Sequence, residues 1–467
     1  MKKIIDFILI SIFIIPFLRP SDVFAAPANI PADVPYILID LKTGRVLAEQ
    51  NADQKLGPAS TTKIMTAILA LENGKLDQKM KVSQAAVNDI GRGGMNVGIM
   101  AGEEGLTLEN MLNILLIKSA NETANIIAEN VAPSRGDFVE MMNRKAKELG
   151  AVNTTFKNPC GKDTEKEDEG HLSTPRDMAL MARYAMTIPK FREIVATEYY
   201  KGMPATNKHD DWGILRNTNQ FLWSDNTYPY TLDGNDHKYT VTGIKTGYTA
   251  AAGNNLIASA AGEDGMELIS VVMHIMQTNK IYGYSKTLLR YGFENYAMQK
   301  ISPAGRLAAT VPVEGASEGT AILELVTGSD FSCALPVGYD IQKIEKKVNV
   351  TQPVKAPVQK GAVLGNIEYL DNGTVLGKVD IVATKSLEAA PGYRAENTGT
   401  KEAPSHTYSY VLLAFLSLMS CFIIVRIVMR RISRSRKNKK SPPAITDTAA
   451  EDTADEDTAD EPDKTDS

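Results

Sequence analysis

Hydrophobic positions repeat with different periods along the chain, and the changes of period predict its elements. Two short apolar runs at residues 36–40 and 46–48 flank a Gly-containing turn, which is the pattern of a β-hairpin. Apolar positions then recur every three or four residues, which predicts helices. These helical segments cover residues 60–71, 108–119, 123–131 and 173–186.

Strand-like runs return after residue 240, separated by Gly-rich turns, at residues 241–247, 255–260 and 268–273. Strands at both ends of this region with helices between them predict an α/β (α+β) domain over residues 30–296. We expect one antiparallel sheet flanked by helices. Over residues 300–390, short alternating segments split by Gly, Pro and Asn-Gly turns predict a small all-β domain, a β-sandwich.

The N-terminal residues 1–25 have the pattern of a cleavable signal peptide. Lys2 and Lys3 precede a short apolar stretch, and small residues surround a cleavage point near Ala25. An uncleaved membrane anchor is the alternative interpretation.

A second hydrophobic segment follows a polar linker at residues 391–407. Residues 408–429 form a span of about 20 residues, long enough for one transmembrane helix in contact with membrane lipid. Residues 430–440 carry seven Lys or Arg, and such clusters mark the cytoplasmic side of a membrane. We therefore expect a single-pass protein of the cell membrane, with the folded domains outside and the tail 430–467 in the cytoplasm.

Residues 447–466 of that tail contain ten acidic residues and one lysine, a net charge of -9, so the rest of the chain carries +4 of the total of -5. Few of the tail's residues are apolar, so the tail is predicted to be disordered. The three cysteines and five histidines show no spacing typical of a metal site or a disulfide framework, and His171 is expected to be structural. We expect no metal, no cofactor and no nucleic-acid partner.

Candidate chemistry begins at Ser60-Thr-Thr-Lys63, the one S-x-x-K of the chain, at the start of a predicted helix. Residues three apart share a helix face, so Lys63 can take the proton of Ser60 and make it a nucleophile. Desolvation would lower the pKa of the lysine, and the N–H groups at a helix start favour negative charge. A helix-capping serine beside a solvated lysine is the alternative for this motif alone.

A second motif, Ser119-Ala-Asn121, lies between two predicted helices, where a loop can direct a hydroxyl and an amide into a cleft. Ordinary helix capping would also explain these residues. The sequence Ser224-Asp-Asn226 spells a similar motif, but it follows an aromatic stretch and resembles a turn. The order of the motifs along the chain and their spacing favour Ser119 over Ser224.

The third motif is Lys245-Thr246-Gly247, on a predicted strand. Its lysine can meet an anionic substrate, its threonine can donate a hydrogen bond, and its glycine allows close approach to the strand. A second Lys-Thr-Gly at residues 42–44 is better explained as the turn of the N-terminal hairpin.

In this order, the three motifs resemble those of the penicillin-binding proteins and serine β-lactamases, and most closely those of the low-molecular-mass D-alanyl-D-alanine carboxypeptidases. The stretches Phe-Lys-Asn-Pro-Cys-Gly at 156–161 and Gly-Ile-Lys-Thr-Gly-Tyr-Thr at 243–249 are also similar. The resemblance covers about residues 34–390. It implies a β-lactamase/transpeptidase-like fold followed by the C-terminal β domain of that family.

The same resemblance implies a serine-type D-Ala-D-Ala carboxypeptidase in cell-wall synthesis or remodelling. It would remove the terminal D-alanine from peptidoglycan stem peptides, and β-lactams would acylate it. Ser60 would be the nucleophile, Lys63 its base and Ser119 a proton relay, with the N–H groups of Ser60 and Tyr248 as oxyanion hole. The implied substrate-binding residues are Asn121, Lys245, Thr246, Gly247, Tyr248 and Thr249.

Two positions depart from the family pattern at the carboxylate subsite. Relatives often carry Arg in a later strand, where this chain is expected to place Glu267, and many have a basic residue near Gln220. If Glu267 occupied that subsite, recognition of a terminal carboxylate would rest on Lys245, Thr246 and Thr249.

Three other functions remain open. A β-lactamase is the nearest, but no E-x-x-L-N-like stretch lies between Asn121 and Lys245, and the extra β domain fits wall trimming better. A D,D-endopeptidase or transpeptidase would act on the same peptides. A catalytically silent envelope scaffold is disfavoured because all three motifs are complete.

Overall fold

A computed structural model describes Pro27 and residues 29–224, 239–317 and 321–393. The predicted signal peptide, the transmembrane segment 408–429 and the tail lie outside the described residues, as does nearly all of the linker. Within the described ranges, no helix combines the length and the apolar character that crossing a bilayer requires.

The helices and strands are numbered here in chain order. The α-helices are α1 (Lys63–Asn73), α2 (Gln84–Asn88), α3 (Leu108–Asn113), α4 (Asn121–Val131), α5 (Arg135–Glu148), α6 (Pro175–Ala185), α7 (Pro189–Val195) and α8 (Thr278–Asn295). The strands are β1 (Tyr36–Asp40), β2 (Val46–Gln50), β3 (Tyr199–Tyr200), β4 (Leu215–Arg216), β5 (Tyr239–Thr249), β6 (Gly253–Gly262), β7 (Glu267–Ile275), β8 (Tyr296–Ser302), β9 (Leu307–Glu314), β10 (Ala321–Thr327), β11 (Phe331–Pro336), β12 (Glu345–Val350), β13 (Val354–Lys355), β14 (Val363–Asp371) and β15 (Thr374–Ala383).

The main sheet has five strands in the order β2-β1-β7-β6-β5, all antiparallel. The N-terminal hairpin therefore pairs with strands from the end of the helical region, as the distribution of strand-like runs predicts. Strand β5 lies at the edge of this sheet, so one side of its backbone is not covered by another strand of the sheet.

Both faces of this sheet are buried, and strand β7 shows why. Ile269, Val271 and Met273 belong to the large core beneath α1, α3, α4 and α6, whereas Leu268 and Val272 pack in a second core with α8. Side chains of a strand alternate between faces, so this nearly continuous apolar run supplies both cores.

Four helices, α2, α5, α7 and α8, were not predicted from the sequence, whereas the predicted helices differ mainly at their ends. A 3-10 turn, Ala59–Thr62, precedes α1, so Ser60 lies just before the α-helix. The predicted helix 108–119 is α3 followed by a π-helical segment, Ile114–Lys118, because apolar periodicity does not distinguish the two. Helix α6 begins with Pro175 and is capped by the Thr174 side chain, which accepts from the Asp177 N–H.

The C-terminal part is all β. A six-stranded sheet has the order β12-β14-β15-β10-β9-β13, and β8 pairs separately with β11. Phe331 of β11 stacks on Tyr369 of β14 with ring centroids 4.5 Å apart, which joins the two sheets through a common apolar core. Arg45 of the N-terminal turn forms a 3.0 Å ion pair with the buried Asp371 of this region.

Candidate active site

Ser60 and Lys63 meet at the start of α1. The preceding residue, Ala59, has a left-handed φ of 47°, which turns the chain sharply into the 3-10 turn that carries Ser60. Lys63 Nζ donates a 2.7 Å hydrogen bond to Ser60 Oγ, and Lys63 has no exposed surface. The structure therefore rules out the alternative of a capping serine beside a solvated lysine.

The ammonium group of Lys63 is fully hydrogen-bonded. Besides Ser60 it donates to Asn121 Oδ1 and to the carbonyl oxygen of Cys160, both at 2.7 Å. Burial lowers the pKa of Lys63 to about 8, while Cys160 and Glu122 act in the opposite direction. A lysine with this pKa can exchange a proton near neutral pH.

Ser119 and Asn121 occupy the short connection between the π-helical segment and α4. Ser119 adopts a left-handed conformation, with φ 63° and ψ 26°, and its Oγ accepts a 2.9 Å hydrogen bond from Lys245 Nζ. Asn121 Nδ2 donates to the carbonyl oxygen of Ile90, and the Asn121 amide N–H donates to that of Met95. The connection thus directs both predicted polar side chains toward the two buried lysines.

Lys245 lies on the edge strand β5 and is 1% exposed. Burial and, to a lesser extent, the charge of Lys63 hold the pKa of Lys245 well below its usual range. Its Nζ also donates to the carbonyl oxygen of Thr246 at 2.8 Å. The Thr246 hydroxyl lies 2.7 Å from that of Thr218, a residue that sequence reasoning missed.

Gly247 packs directly against the turn that carries Ser60, the predicted nucleophile; this turn, Ala59–Thr62, is called the nucleophile turn below. A Cβ at this position would lie 3.0 Å from Pro58 O and Thr61 N, and 3.1 Å from Ser60 N. The absence of a side chain therefore lets β5 approach the Ser60 N–H closely. The next residue, Tyr248, is 63% exposed beside this contact.

Thr249 is engaged within the protein. Its hydroxyl donates to the Asp163 carboxylate and accepts a 2.9 Å hydrogen bond from the Ala252 N–H. A substrate carboxylate would have to displace Asp163 to reach this hydroxyl. The predicted substrate contact of Thr249 therefore requires displacement of a carboxylate, whereas the contact of Thr246 requires only that its hydroxyl separate from that of Thr218.

The expectation that Glu267 lies at the carboxylate subsite is wrong. Glu267 pairs with Ala261, which pairs with Thr240, and Thr240 lies roughly 20 Å along β5 from Thr246. Its carboxylate forms an ion pair with Arg192 and accepts from the Thr242 hydroxyl. The strand pairing that decides this cannot be obtained from apolar alternation alone.

Two further contacts of the site escaped sequence reasoning. Thr218 lies two residues before Gln220, and its N–H donates to Ile117 O, which holds it between the Ser119 connection and β5. Gly161 has a φ of 86°, and a Cβ there would lie 1.8 Å from Ala59 O. The Asn-Pro-Cys-Gly stretch was thus a signal for the packing that supports the nucleophile turn.

His171 supports the turn that carries Ser60. Its Nδ1 accepts from the Lys157 N–H at 3.1 Å, so Nε2 carries the proton and donates to Thr62 Oγ1 at 2.8 Å. Burial and, to a lesser extent, the positive charges of Lys63 and Lys157 lower its pKa to about 3. His171 is therefore a neutral structural residue.

The two competing motifs do not lie in the site. Ser224 is exposed and its N–H donates to Glu198, whereas Asp225 and Asn226 lie outside the described residues. Thr43 of the first Lys-Thr-Gly donates to Asp40 within the β1–β2 turn. Both observations agree with the assignments made from order and spacing.

Ser60 is hydrogen-bonded to one buried lysine, Ser119 is hydrogen-bonded to a second, and an edge strand lies against the turn that carries Ser60. This combination defines the class of serine acyl-transfer enzymes with a penicillin-binding protein fold. A family model described as D-alanyl-D-alanine carboxypeptidase matches residues 22–277. A model described as the C-terminal domain of penicillin-binding protein 5 matches residues 296–389. The chain belongs to the D-alanyl-D-alanine carboxypeptidase family.

Individual relatives agree with this assignment. The chain is 31% identical over 406 residues to the D-alanyl-D-alanine carboxypeptidase DacF of Bacillus subtilis, covering 84% of this chain and 96% of that protein. Penicillin-binding protein 5 of Haemophilus influenzae is a similar structure, with a TM-score of 0.59, 26% identity and coverage of 78% and 100%. For the peptidoglycan synthesis regulatory factor PBP3 of Streptococcus pneumoniae, the TM-score is 0.63 at 25% identity, with coverage of 76% and 98%.

These likenesses confirm three predictions: the family, the class of serine D-Ala-D-Ala carboxypeptidase, and a penicillin-binding protein fold with an all-β C-terminal part. The protein is a peptidase. The roles of single residues in its site remain predictions.

Proposed function

We propose that Ser60 forms an acyl-enzyme with the peptide carbonyl between two terminal D-alanines, and that Lys63 is the base that activates it. The observation that carries this proposal is the 2.7 Å contact between Ser60 Oγ and Lys63 Nζ. Two of the three hydrogen-bonding directions of Nζ are fixed by the acceptors Asn121 Oδ1 and Cys160 O. When Lys63 loses a proton, its two N–H groups remain on these acceptors, so the lone pair points at Ser60.

The pKa of Lys63 fits this role. With a pKa of about 8, roughly one molecule in ten carries a neutral Lys63 at pH 7, whereas an ordinary lysine would be neutral in fewer than about one in a thousand. General bases work best when their pKa lies near the working pH. Burial of Lys63 thus supplies a usable base without a histidine.

The N–H groups of Ser60 and Tyr248 form the proposed oxyanion hole. An edge strand leaves part of its N–H groups unpaired, and Gly247 brings this edge against the Ser60 N–H. Preorganised donors of this kind stabilise the negative oxygen of a tetrahedral intermediate. Tyr248 itself contributes its backbone, since its side chain is largely exposed.

Ser119 is the proposed relay to the leaving amine. Its Oγ accepts from Lys245 Nζ, so its own proton is free to point into the cleft toward the departing D-alanine nitrogen. Lys63 can return the proton that it took from Ser60 through this hydroxyl. Water then hydrolyses the acyl-enzyme, and Asn121 contributes to holding the substrate amide.

Thr246 and Thr218 are the proposed donors to the terminal carboxylate, beside the charge of Lys245. One hydroxyl of the pair donates to the other, so one O–H remains free for a ligand. A bound carboxylate would accept from both hydroxyls once the pair separates. This arrangement replaces the arginine expected from the family pattern.

The proposed substrate is a peptidoglycan stem pentapeptide ending in D-Ala-D-Ala, and β-lactams are the proposed covalent inhibitors. The same protein exposed to labelled penicillin should carry the adduct on Ser60, and Ser60→Ala should lose both the label and peptide cleavage. An adduct found elsewhere by mass spectrometry would refute the mechanism. A scaffold would take up no label at all.

Purified stem peptides distinguish the remaining candidates. Digestion by the purified protein should release a single alanine from the pentapeptide. New cross-links would instead support a transpeptidase, cleavage of existing cross-links an endopeptidase, and rapid hydrolysis of penicillin a β-lactamase.

We also propose that the protein is anchored in the cell membrane through residues 408–429, with the catalytic domain outside and the tail in the cytoplasm. The hydrophobic span and the seven basic residues after it support this topology. Protease added to intact, wall-stripped cells should remove the catalytic domain and spare an epitope placed after Lys440. Digestion of that epitope would contradict the topology.

A further inference from the structure

Glu122 is a buried carboxyl group that the reaction scheme above does not use. It follows Asn121 in the first turn of α4 and is 1% exposed. A carboxyl group taken out of water without a counter-charge is costly, so it calls for a physical reason.

The two oxygens of this carboxyl group have different surroundings. Its Oε1 accepts a 2.7 Å hydrogen bond from the Val97 N–H, and the Gly98 N–H also contributes. In the part of the chain that the structure describes, Oε2 is buried and has no hydrogen-bond partner. The Val97 N–H therefore stabilises one oxygen, while the other is buried without a donor among the described residues.

Lys63 is the basic group that acts on this carboxylate. Burial raises the pKa of Glu122, backbone hydrogen bonds oppose the rise, and the charge of Lys63 opposes it too. In return, Glu122 favours the charged form of Lys63. The three hydrogen-bond acceptors of Lys63 are neutral oxygen atoms, so none of them supplies a negative charge.

The other titratable groups around Lys63 do not supply the negative charge that Glu122 can supply. Cys160 would favour the charged form of Lys63 more than Glu122 does, but only as a thiolate, and burial raises the pKa of this thiol and so disfavours the thiolate. Lys245 and His171 supply no negative charge, and the charge of Lys63 contributes to lowering the pKa of both groups. The Glu122 carboxylate is thus the negative charge available to Lys63 among these neighbours.

We propose that Glu122 is a positioning residue for catalysis, whose carboxylate stabilises the positive charge that Lys63 acquires when it takes the proton of Ser60. The proposal rests on the proposed roles of Ser60 and Lys63. Glu122 touches neither substrate nor nucleophile and acts through the field at Lys63 Nζ. The unpaired Oε2 preserves this field, because a donor on that oxygen would neutralise part of its charge.

The test is the pH dependence of acylation by a penicillin, measured by stopped flow on the full chain. Acylation requires neutral Lys63, so the rate constant rises with pH through the pKa of Lys63. Glu122→Gln removes the carboxylate and destabilises the charged lysine. We expect the midpoint of this rise to move down by about one pH unit. The rate at high pH should fall about threefold, because the base is weaker.

Glu103→Gln is the matched control. Glu103 is also 1% exposed and also holds a backbone N–H of the same loop, that of Met100 at 2.9 Å. Its other oxygen accepts from Thr206 and contacts His209, so its charge is directed away from Lys63. This variant should leave the midpoint where it is in the wild-type protein, even if it lowers the thermal midpoint of unfolding.

Two further measurements keep the proposal testable if Glu122→Gln does not fold. Glu122→Met fills a similar volume without a polar atom and should give the same shift of the acylation midpoint. In the wild-type protein, the ¹³C carboxyl resonance of Glu122 should show an inflection at the pH where Lys63 titrates. An unchanged midpoint in a folded Glu122 variant, an equal shift in Glu103→Gln, or a Glu122 resonance without that inflection would overturn the proposal.

Failure of the proposed function would look different. Labelling away from Ser60, or a wild-type acylation rate that does not rise through the titration of Lys63, would refute the serine–lysine mechanism regardless of Glu122. A normal wild-type profile with an unresponsive Glu122 variant would refute the role of Glu122 alone.

Discussion

Replacing Gly247 by alanine tests whether the edge of β5 must lie against the nucleophile turn. The added Cβ would lie 3.0 Å from Pro58 O and Thr61 N, where ordinary contacts begin at 3.4 Å. The contacted atoms belong to the backbone, so no side chain can rotate away. The strand would have to retreat by about 0.4 Å from the turn.

This retreat lengthens the distance between the proposed oxyanion donors on Ser60 and Tyr248. Loss of a whole oxyanion donor costs about 10²- to 10³-fold in rate, and a displacement of about 1 Å can cost about 10²-fold. A retreat of less than half that distance should therefore slow acylation about tenfold, equivalent to about 1.4 kcal/mol of activation free energy. The fold should survive, because the contact is confined to one edge of the sheet.

Stopped-flow acylation by a fluorescent penicillin measures this effect, and thermal unfolding measures the stability of the variant. Gly283→Ala is the control, since its Cβ would meet nothing within 4 Å on helix α8. That change should leave acylation unaltered and stabilise the protein by about 0.5–1 kcal/mol, as expected for glycine replaced inside a helix. Acylation of folded Gly247→Ala at the wild-type rate would refute the proposed need for close approach.

Three further outcomes follow from the site. Ser119→Ala should reduce peptide cleavage by about 10²- to 10⁴-fold, whereas Ser224→Ala should leave it unchanged; equal effects would reverse the choice between the two motifs. The kcat/KM for peptide cleavage should rise with pH to half its maximum near pH 8, because the neutral form of Lys63 is the active one and its pKa is about 8; a rate that is already maximal at pH 6 would contradict this. Thr218→Val should lower kcat/KM for a peptide with a free carboxylate by about tenfold or more, as for a lost hydrogen bond to a charged group, and should affect the methyl ester less; equal losses for both substrates would remove Thr218 from the carboxylate subsite.

Some features of the catalytic part can be predicted from apolar periodicity and from the order of the motifs along the chain. The apolar stripe after residue 108 predicted a helix ending at Ser119, and the structure places Ser119 directly after the helical segment. Motif order selected Lys245 over the earlier Lys-Thr-Gly, and the structure joins Lys245 to Ser119. These predictions depend on neighbours in sequence or on the succession of motifs.

Apart from the unpredicted helices α2, α5, α7 and α8, the incorrect or missing predictions concern pairs of residues that are distant in sequence. Glu267 was expected at the carboxylate subsite, but strand register is set by pairing across the sheet, and that pairing places Glu267 far from Thr246. Thr218 and Thr246 lie 28 residues apart, and neither carries a local sign of their contact. Asp163 engages Thr249 from a distant loop, so the availability of that hydroxyl could be judged only from the tertiary structure.

The pairing of β1 with β7 has a consequence for how the protein matures. Tyr36 lies opposite Val272, so the sheet closes only after more than half of the chain is available. Contacts of such long sequence separation carry a large loop-closure cost and form slowly. Under the proposed mechanism, penicillin labelling of Ser60 would therefore report completion of tertiary structure, and we expect a newly made chain to remain unlabelled until β7 has docked.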